Sequence, residues 1–309
     1  MNITPIVASQ VVIMLALILV GFILFKKNII TKNGTKDMSG ILLNLVLPCV
    51  LIKAYQIEYN PDIVRELLLA FALSILAHGI FIALSYIIWR FEKDEDKRIN
   101  GIFTAVYSNC GFMGIPLLGA TLGDKGVLLG SAYLATFNIL IWTHGLCMYG
   151  KSAKYMSVKN IVKNPGVIGV TLALILFFAR VRISGPVKEI VGYFASLNTP
   201  LAMLLLGTYL ARGSITKAFR EPGIYLIIFL RLLAFPLISA IIFALMGIEE
   251  FLATTVVLSA ACPVAALSAI FSEKFNLDTL YPSQIVSVTT LLSVATMPLI
   301  TFLISFILK

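Results

Sequence analysis

Two eleven-residue stretches hold the groups best suited to binding a solute. One reads SNCGFMGIPLL, Ser108 to Leu118, and the other SAACPVAALSA, Ser259 to Ala269. Each lies inside a long apolar run and is interrupted by proline among small residues. Proline removes a main-chain donor and clashes with the carbonyl one turn back, and glycine loosens a helix. In lipid no water replaces a lost backbone hydrogen bond, so such interruptions persist only where protein or a wet cavity covers them. A new half-helix is expected after each, near Pro116 and near Ala265. Helix starts carry partial positive charge and unpaired N–H groups, which favour an anion. Interrupted spans at matching places in two halves of a chain point to a transporter's binding site.

The side chains at these places sharpen that chemistry. Asn109 offers both a donor and an acceptor; it can hold a carboxylate or tie the two interrupted segments together. Ser108 and Ser268 bring hydroxyls, for substrate or for local backbone bonds. Cys110, Gly111, Gly114, Pro116, Pro263, Val264 and Ala265 complete the expected substrate-binding set, the glycines permitting the break. Arg231 lies about ten residues into an apolar run, roughly 15 Å of helix and close to the bilayer centre. An arginine there costs at least about 3 kcal/mol and faces the bundle or a cavity. Two roles are open to it: contact with substrate, or a bond to backbone carbonyls of a neighbouring interrupted helix. The acidic residues all fall in loops or near span ends, so no midplane carboxylate neutralises it.

Other polar residues support or compete with this set. His78 and His144 can carry a proton near neutral pH or pack as hydrogen-bonded rings. Asn44, Asn138 and Asn198 read as glue between helices or as ligands. Glu273, near one mouth, is a candidate for cation attraction or gating. The run Glu92 to Arg98 reads as a solvated loop.

These residues are positioned by a chain that belongs in lipid. Of 309 residues, 59% are hydrophobic and 13% charged, against about 25% charged in soluble domains. The net charge of +9 sits in short loops and forms no nucleic-acid patch. Cys49, Cys110, Cys147 and Cys262 make no CxxC pair, disulfide framework or metal signature. The N-terminal stretch has no basic region or cleavage site and is expected to lead into a retained span. Spans of about 20 apolar residues number ten: Pro5–Phe25, Met38–Ala54, Val64–Arg90, Ile99–Thr121, Gly126–Tyr149, Asn164–Arg180, Val187–Ala211, Pro222–Met246, Phe251–Phe275 and Thr279–Leu308. Loops after odd-numbered spans hold sixteen Lys and Arg, the opposite side seven, Lys309 included. The positive-inside rule then puts those loops in the cytoplasm and both termini outside a cell membrane.

The halves echo each other. Pro48 in NLVLPCVLI precedes Pro200 in LNTPLAMLL by 152 residues, and Pro116 precedes Pro263 by 147. Five spans per half is odd, so the halves enter the membrane in opposite senses: inverted repeats over 1–150 and 160–309 within one membrane domain.

NLVLPCVLI, NCGFMGIPLL, KNPGVIGV, LNTPLAMLLLGTYLA and PVAALSAIFSEKF together resemble the auxin efflux carrier family of PIN-like membrane transporters, over essentially the whole chain. The resemblance implies an all-α polytopic protein of ten transmembrane helices, with broken helices 4 and 9 crossing. It implies a scaffold (spans 1, 2, 6 and 7), a moving core (spans 3–5 and 8–10), and a homodimer through the scaffold. It also implies transport of organic anions, indole acetate in plant members and malate- or malonate-like acids in bacterial ones. One departure is Leu267, near where the family often places asparagine.

The combined expectation is a secondary transporter of small organic carboxylates working by alternating access, with no cofactor. Its runner-up is a sodium- or proton-coupled symporter of a different, bile-acid-like substrate, sodium sitting on carbonyls freed at the breaks near Asn109 and Ser268. An intramembrane enzyme is disfavoured: there are no paired acids, no Ser/His arrangement and no HExxH.

Overall fold

The structure, a computed structural model, describes residues 3–156, 158–212 and 221–308. Lys309 lies outside the described residues. Helices account for the regular structure there, and the β feature is one isolated bridge. Among the described residues, seven helices are long and apolar enough to cross a membrane. They are α1 (Thr4–Lys26), α2 (Lys32–Ala54), α3 (Pro61–Phe91), the continuous run Cys110–Tyr149, and then Gly185–Arg212, Pro222–Leu245 and Leu280–Ile307.

The count differs from ten for three local reasons. The run Cys110–Tyr149 is divided at Gly123, whose φ of 68° and ψ of −162° are non-helical; it comprises α5 (110–122) and α6 (124–149). The segment Pro165–Phe178, α7, has 14 residues, about 21 Å of helix. Two further stretches are divided between shorter helices. Helix α4 (Glu95–Val106) ends before residues 107–109, and α5 then begins. After α8 (Gly185–Arg212) and α9 (Pro222–Leu245), α10 (Glu250–Ala261) ends before residues 262–266. There α11 (Leu267–Lys274) begins, followed by α12 (Leu280–Ile307).

One new helix starts at Leu267, near Ala265 as expected, but the other starts at Cys110 rather than near Pro116. That difference has a physical cause. Residues Cys110–Gly114 form a wide π-type turn that ends two residues before Pro116, relieving the clash proline makes with the preceding turn. The same device recurs at Leu42–Val46 before Pro48 and at Leu230–Ala234 before Pro236. Helix α2 also starts six residues earlier than expected, because Thr31 caps it by accepting a bond from the Gly34 N–H at 3.0 Å. Asn60 and Asn164 cap α3 and α7, each followed by proline at the first helical position, where its missing N–H costs nothing.

Helices α1 and α8 pack closest. A Cβ on Gly21 would lie 2.3 Å from the Leu204 carbonyl, and one on Gly207 2.1 Å from the Ile18 carbonyl. Helices α2 and α7 meet where Gly169 faces Pro48 and Leu51. Small residues let membrane helices approach this closely. A second body forms around α3, α4, α6 and α9–α11, with Phe81 stacked on Phe235 at 4.7 Å between α3 and α9. Asn100 knits that body together. Its amide oxygen accepts bonds from Tyr149 (2.8 Å) and Ser272 (3.1 Å).

Candidate functional site

The two interruptions meet. Residues 107–109 and 263–265 run antiparallel, bridged at Ser108 and Val264. The Asn109 N–H donates to the Pro263 carbonyl at 2.7 Å, and the Ala265 N–H to the Tyr107 carbonyl at 3.0 Å. The Ser108 hydroxyl donates to the Ser259 carbonyl (2.9 Å), and the Val264 N–H to the Thr289 hydroxyl (3.3 Å). Broken helix ends leave backbone groups without intrahelical partners; here each end supplies partners for the other.

Arg231 completes the arrangement. It is fully buried, and its Nη1 donates to the carbonyls of Ala105 and Val106 at 3.0 and 2.8 Å, at the C-terminal end of α4. That end carries partial negative charge, so the guanidinium is the cation its carbonyls call for. The Phe81 ring lies 5.5 Å from it. Its Nε and Nη2 have no protein partner, and neither do the Tyr133 hydroxyl or His78 Nε2 nearby. His78 Nδ1 bonds the Ser74 carbonyl at 2.8 Å. A carbonyl only accepts, so Nδ1 carries the proton and Nε2 is an acceptor.

A cavity of about 200 Å³ opens beside the meeting point. At about 30 Å³ per water, it has room for about six or seven waters. Its walls come from both bodies: Leu43 and Leu47 of α2, Asn164–Gly166 at the start of α7, and Tyr209 of α8 on one side. Opposite stand Asn109, Gly111 and Phe112, then Phe137, Asn138 and Trp142 of α6, then Ala265–Leu267. Among the described side chains, no charged one lines it. Asn109 is 5% exposed, and its Nδ2 is buried without a protein partner; the Trp142 indole N–H shares that condition. Asn138 donates its Nδ2 to the Leu134 carbonyl in its own helix.

Of the residues expected at the site, Asn109, Gly111, Ala265 and Asn138 line this cavity. The others are placed elsewhere. Cys110 and Val264 are buried behind it. Gly114 backs onto Cys262, to which a Cβ would come within 3.3 Å. Pro116 is buried within α5, and Pro263 gives its carbonyl to Asn109. Ser268 turns its hydroxyl to the Ala265 carbonyl at the start of α11. Pro48 and Pro200 shape α2 and α8. His144 sits between the hydroxyls of Tyr107 (2.8 Å) and Tyr86 (3.2 Å). Asn44 bonds back to the Gly40 carbonyl, and Asn198 is buried in α8. Glu273 lies in α11, its side chain outside the described residues. Leu267, the departure from the family pattern, lines the cavity. Sequence reasoning missed Phe112, Phe137, Trp142, Tyr209 and Asn164. Aromatic residues are common in any apolar helix, and only three-dimensional placement singles these out.

A polytopic helical protein with a solute-sized chamber where two interrupted segments meet is a membrane transport protein. The membrane transport protein family model matches residues 6–163 and 154–301, and the chain belongs to that family, the auxin efflux carriers that its motifs resemble. It is similar to an uncharacterized transporter of Methanothermobacter thermautotrophicus, 24% identical over 303 residues, covering 94% of this chain and 96% of the relative. An uncharacterized transporter of Methanocaldococcus jannaschii is 23% identical over 297 residues, with 92% and 94% covered.

Proposed function

We propose that the chain is a secondary transporter of small organic monocarboxylates, bound in the cavity beside Asn109. One observation carries the reading: Asn109 lines a chamber without charged side chains, and its buried amide nitrogen has no protein partner. A buried donor left unmade costs about 1–3 kcal/mol, and a carboxylate oxygen satisfies it. The start of α5 adds the partial positive charge of a helix N-terminus. The walls of Phe112, Phe137, Trp142 and Tyr209 suit an apolar body. A second carboxylate of a malate- or malonate-like acid would lie among those rings without a cation, which favours the one-carboxylate, auxin-like class.

The architecture we propose has ten spans in two inverted five-helix repeats. Gly123 separates spans 4 and 5, α4 with α5 forms span 4, and α10 with α11 forms span 9. Near-constant offsets support the repeat: Cys110 to Cys262 is 152 residues, and His78 to Arg231 is 153. The body of α1, α2, α7 and α8 is the scaffold, in the membrane with both termini outside and pairing with a second copy. The remaining helices move against it, alternately exposing the cavity. Arg231 occupies two of the carbonyls that a sodium ion would need, which supports uniport. Each charge moved then gains about 2.3 kcal/mol per 100 mV of membrane potential.

The test is uptake into proteoliposomes of labelled phenylacetate, indole acetate, malonate and malate. The monocarboxylates are expected to enter and the dicarboxylates to be excluded. Asn109→Ala is expected to weaken uptake about 10-fold or more, since hydrogen bonds to charged groups contribute about 1.5–3 kcal/mol. Undiminished uptake by that variant would remove Asn109 from the site.

A further inference from the structure

A second cavity, of about 300 Å³, adjoins the first. Tyr209, Ala266 and Ile270 line both, so the two share a wall. Its remaining lining includes Lys32 at the start of α2, Arg212 at the end of α8, and the hydroxyl residues Thr279 and Ser283 around the start of α12; among the described side chains no acidic one lines it. Among the described side chains the central chamber holds no charge, and these cations stand across the shared wall. The Arg212 guanidinium lies 5.0 Å from the Phe25 ring and 5.6 Å from that of Tyr209. Lys32 stands in the first turn of its helix with no acidic residue there to offset it, a placement the helix dipole disfavours.

The opposite end of the molecule has cavities with cations too. One is lined by Lys53, Arg182 and Lys188 together with Asp124, another by Arg180 and Arg182 with Glu58. Neither shares a lining residue with the central chamber. Among these cavities, the chamber thus adjoins only the one at the Lys32 end.

We infer that Lys32 and Arg212 form an anion-collecting vestibule, a second subsite that draws the carboxylate toward the chamber beside Asn109. The inference rests on the monocarboxylate reading above. Fixed cations around a low-dielectric mouth raise the local anion concentration and the association rate about 10- to 1,000-fold. The gain fades as salt screens it, the Debye length falling from about 10 Å at 0.1 M to about 3 Å at 1 M. Neither residue reaches the chamber, so the translocation step itself is unaffected.

The experiment measures labelled phenylacetate transport in proteoliposomes, with substrate supplied from the Lys32 face, at low and high ionic strength. The double variant Lys32→Gln/Arg212→Gln is expected to raise KM about 3- to 10-fold at low salt with kcat unchanged. The difference from wild type should vanish near 1 M salt. The charge-keeping pair Lys32→Arg/Arg212→Lys should restore the wild-type KM, which separates charge from lost ring packing. If wild type moves phenylacetate and the neutral pair matches it at low salt, the vestibule is refuted while the chamber stands. A kcat loss that the charge-keeping pair does not repair also refutes it. If wild type moves no carboxylate, the monocarboxylate reading falls and the vestibule falls with it.

Discussion

At Arg231 two effects of similar size oppose each other. An arginine near the bilayer centre costs at least about 3 kcal/mol. Its two bonds to the Ala105 and Val106 carbonyls return about 1.5–3 kcal/mol each. Removing the side chain therefore deletes both a cost and a gain. Arg231→Met is expected to shift the melting temperature by only a few degrees while loosening the end of α4. Arg231→Glu sets a carboxylate against the same two carbonyls, with no cation to pair, and should abolish monodisperse folded protein. Size-exclusion profiles and thermal unfolding of the purified variants distinguish the two cases. A melting temperature for Arg231→Met more than about 15 °C below wild type would show that the carbonyl bonds dominate. The sequence already exposed this residue, because a lone arginine in an apolar run with no nearby acid is conspicuous. Backbone carbonyls of an interrupted helix were among its expected partners; which carbonyls was not legible, since they lie 125 and 126 residues away.

At the scale of helices, the closest contacts are backbone against backbone. A Cβ at Gly207 would strike the Ile18 carbonyl at 2.1 Å and the Phe22 nitrogen at 2.6 Å. Neither can rotate aside, so α1 and α8 must separate. Gly207→Val should lower stability by about 1–3 kcal/mol, the usual cost of overpacking. Gly79 in α3 has nothing within 4 Å of its would-be Cβ. Gly79→Ala should be neutral or gain up to about 1 kcal/mol from helix propensity. Thermal shifts of the pair check the contrast; equal losses would refute it. The interruptions were legible because proline and glycine have local consequences in lipid. Starting points were less so: Pro116 reads as the start of a helix, yet a π-type turn carries the helix back to Cys110. The lining of Phe137, Trp142 and Tyr209 was invisible, since the folded arrangement alone decides which of many aromatic side chains face a void.

For the whole molecule, the chamber shares a wall with the cavity at the Lys32 end and none with those at the Arg182 end. In a background lacking the native cysteines, Ala266→Cys should react with a membrane-impermeant thiol reagent applied from the Lys32 face. From the Arg182 face it should be protected, and mass spectrometry of the labelled protein reads the difference. Labelling from the Arg182 face alone would refute access from the Lys32 end. Charge counts in the loops suggested a sided molecule, but accessibility depends on which helices touch, and hydropathy carries no trace of that.

The joint between residues 107–109 and 263–265 is fastened mainly through the main chain. Exchange of the side chains there can retune the guest without unpinning the hinge, because every amino acid except proline brings the same amide. To loosen the pin itself requires chemistry on the peptide bond, such as an ester in place of the amide at Asn109. That single-atom change deletes the 2.7 Å bond to Pro263 and leaves every side chain as it was.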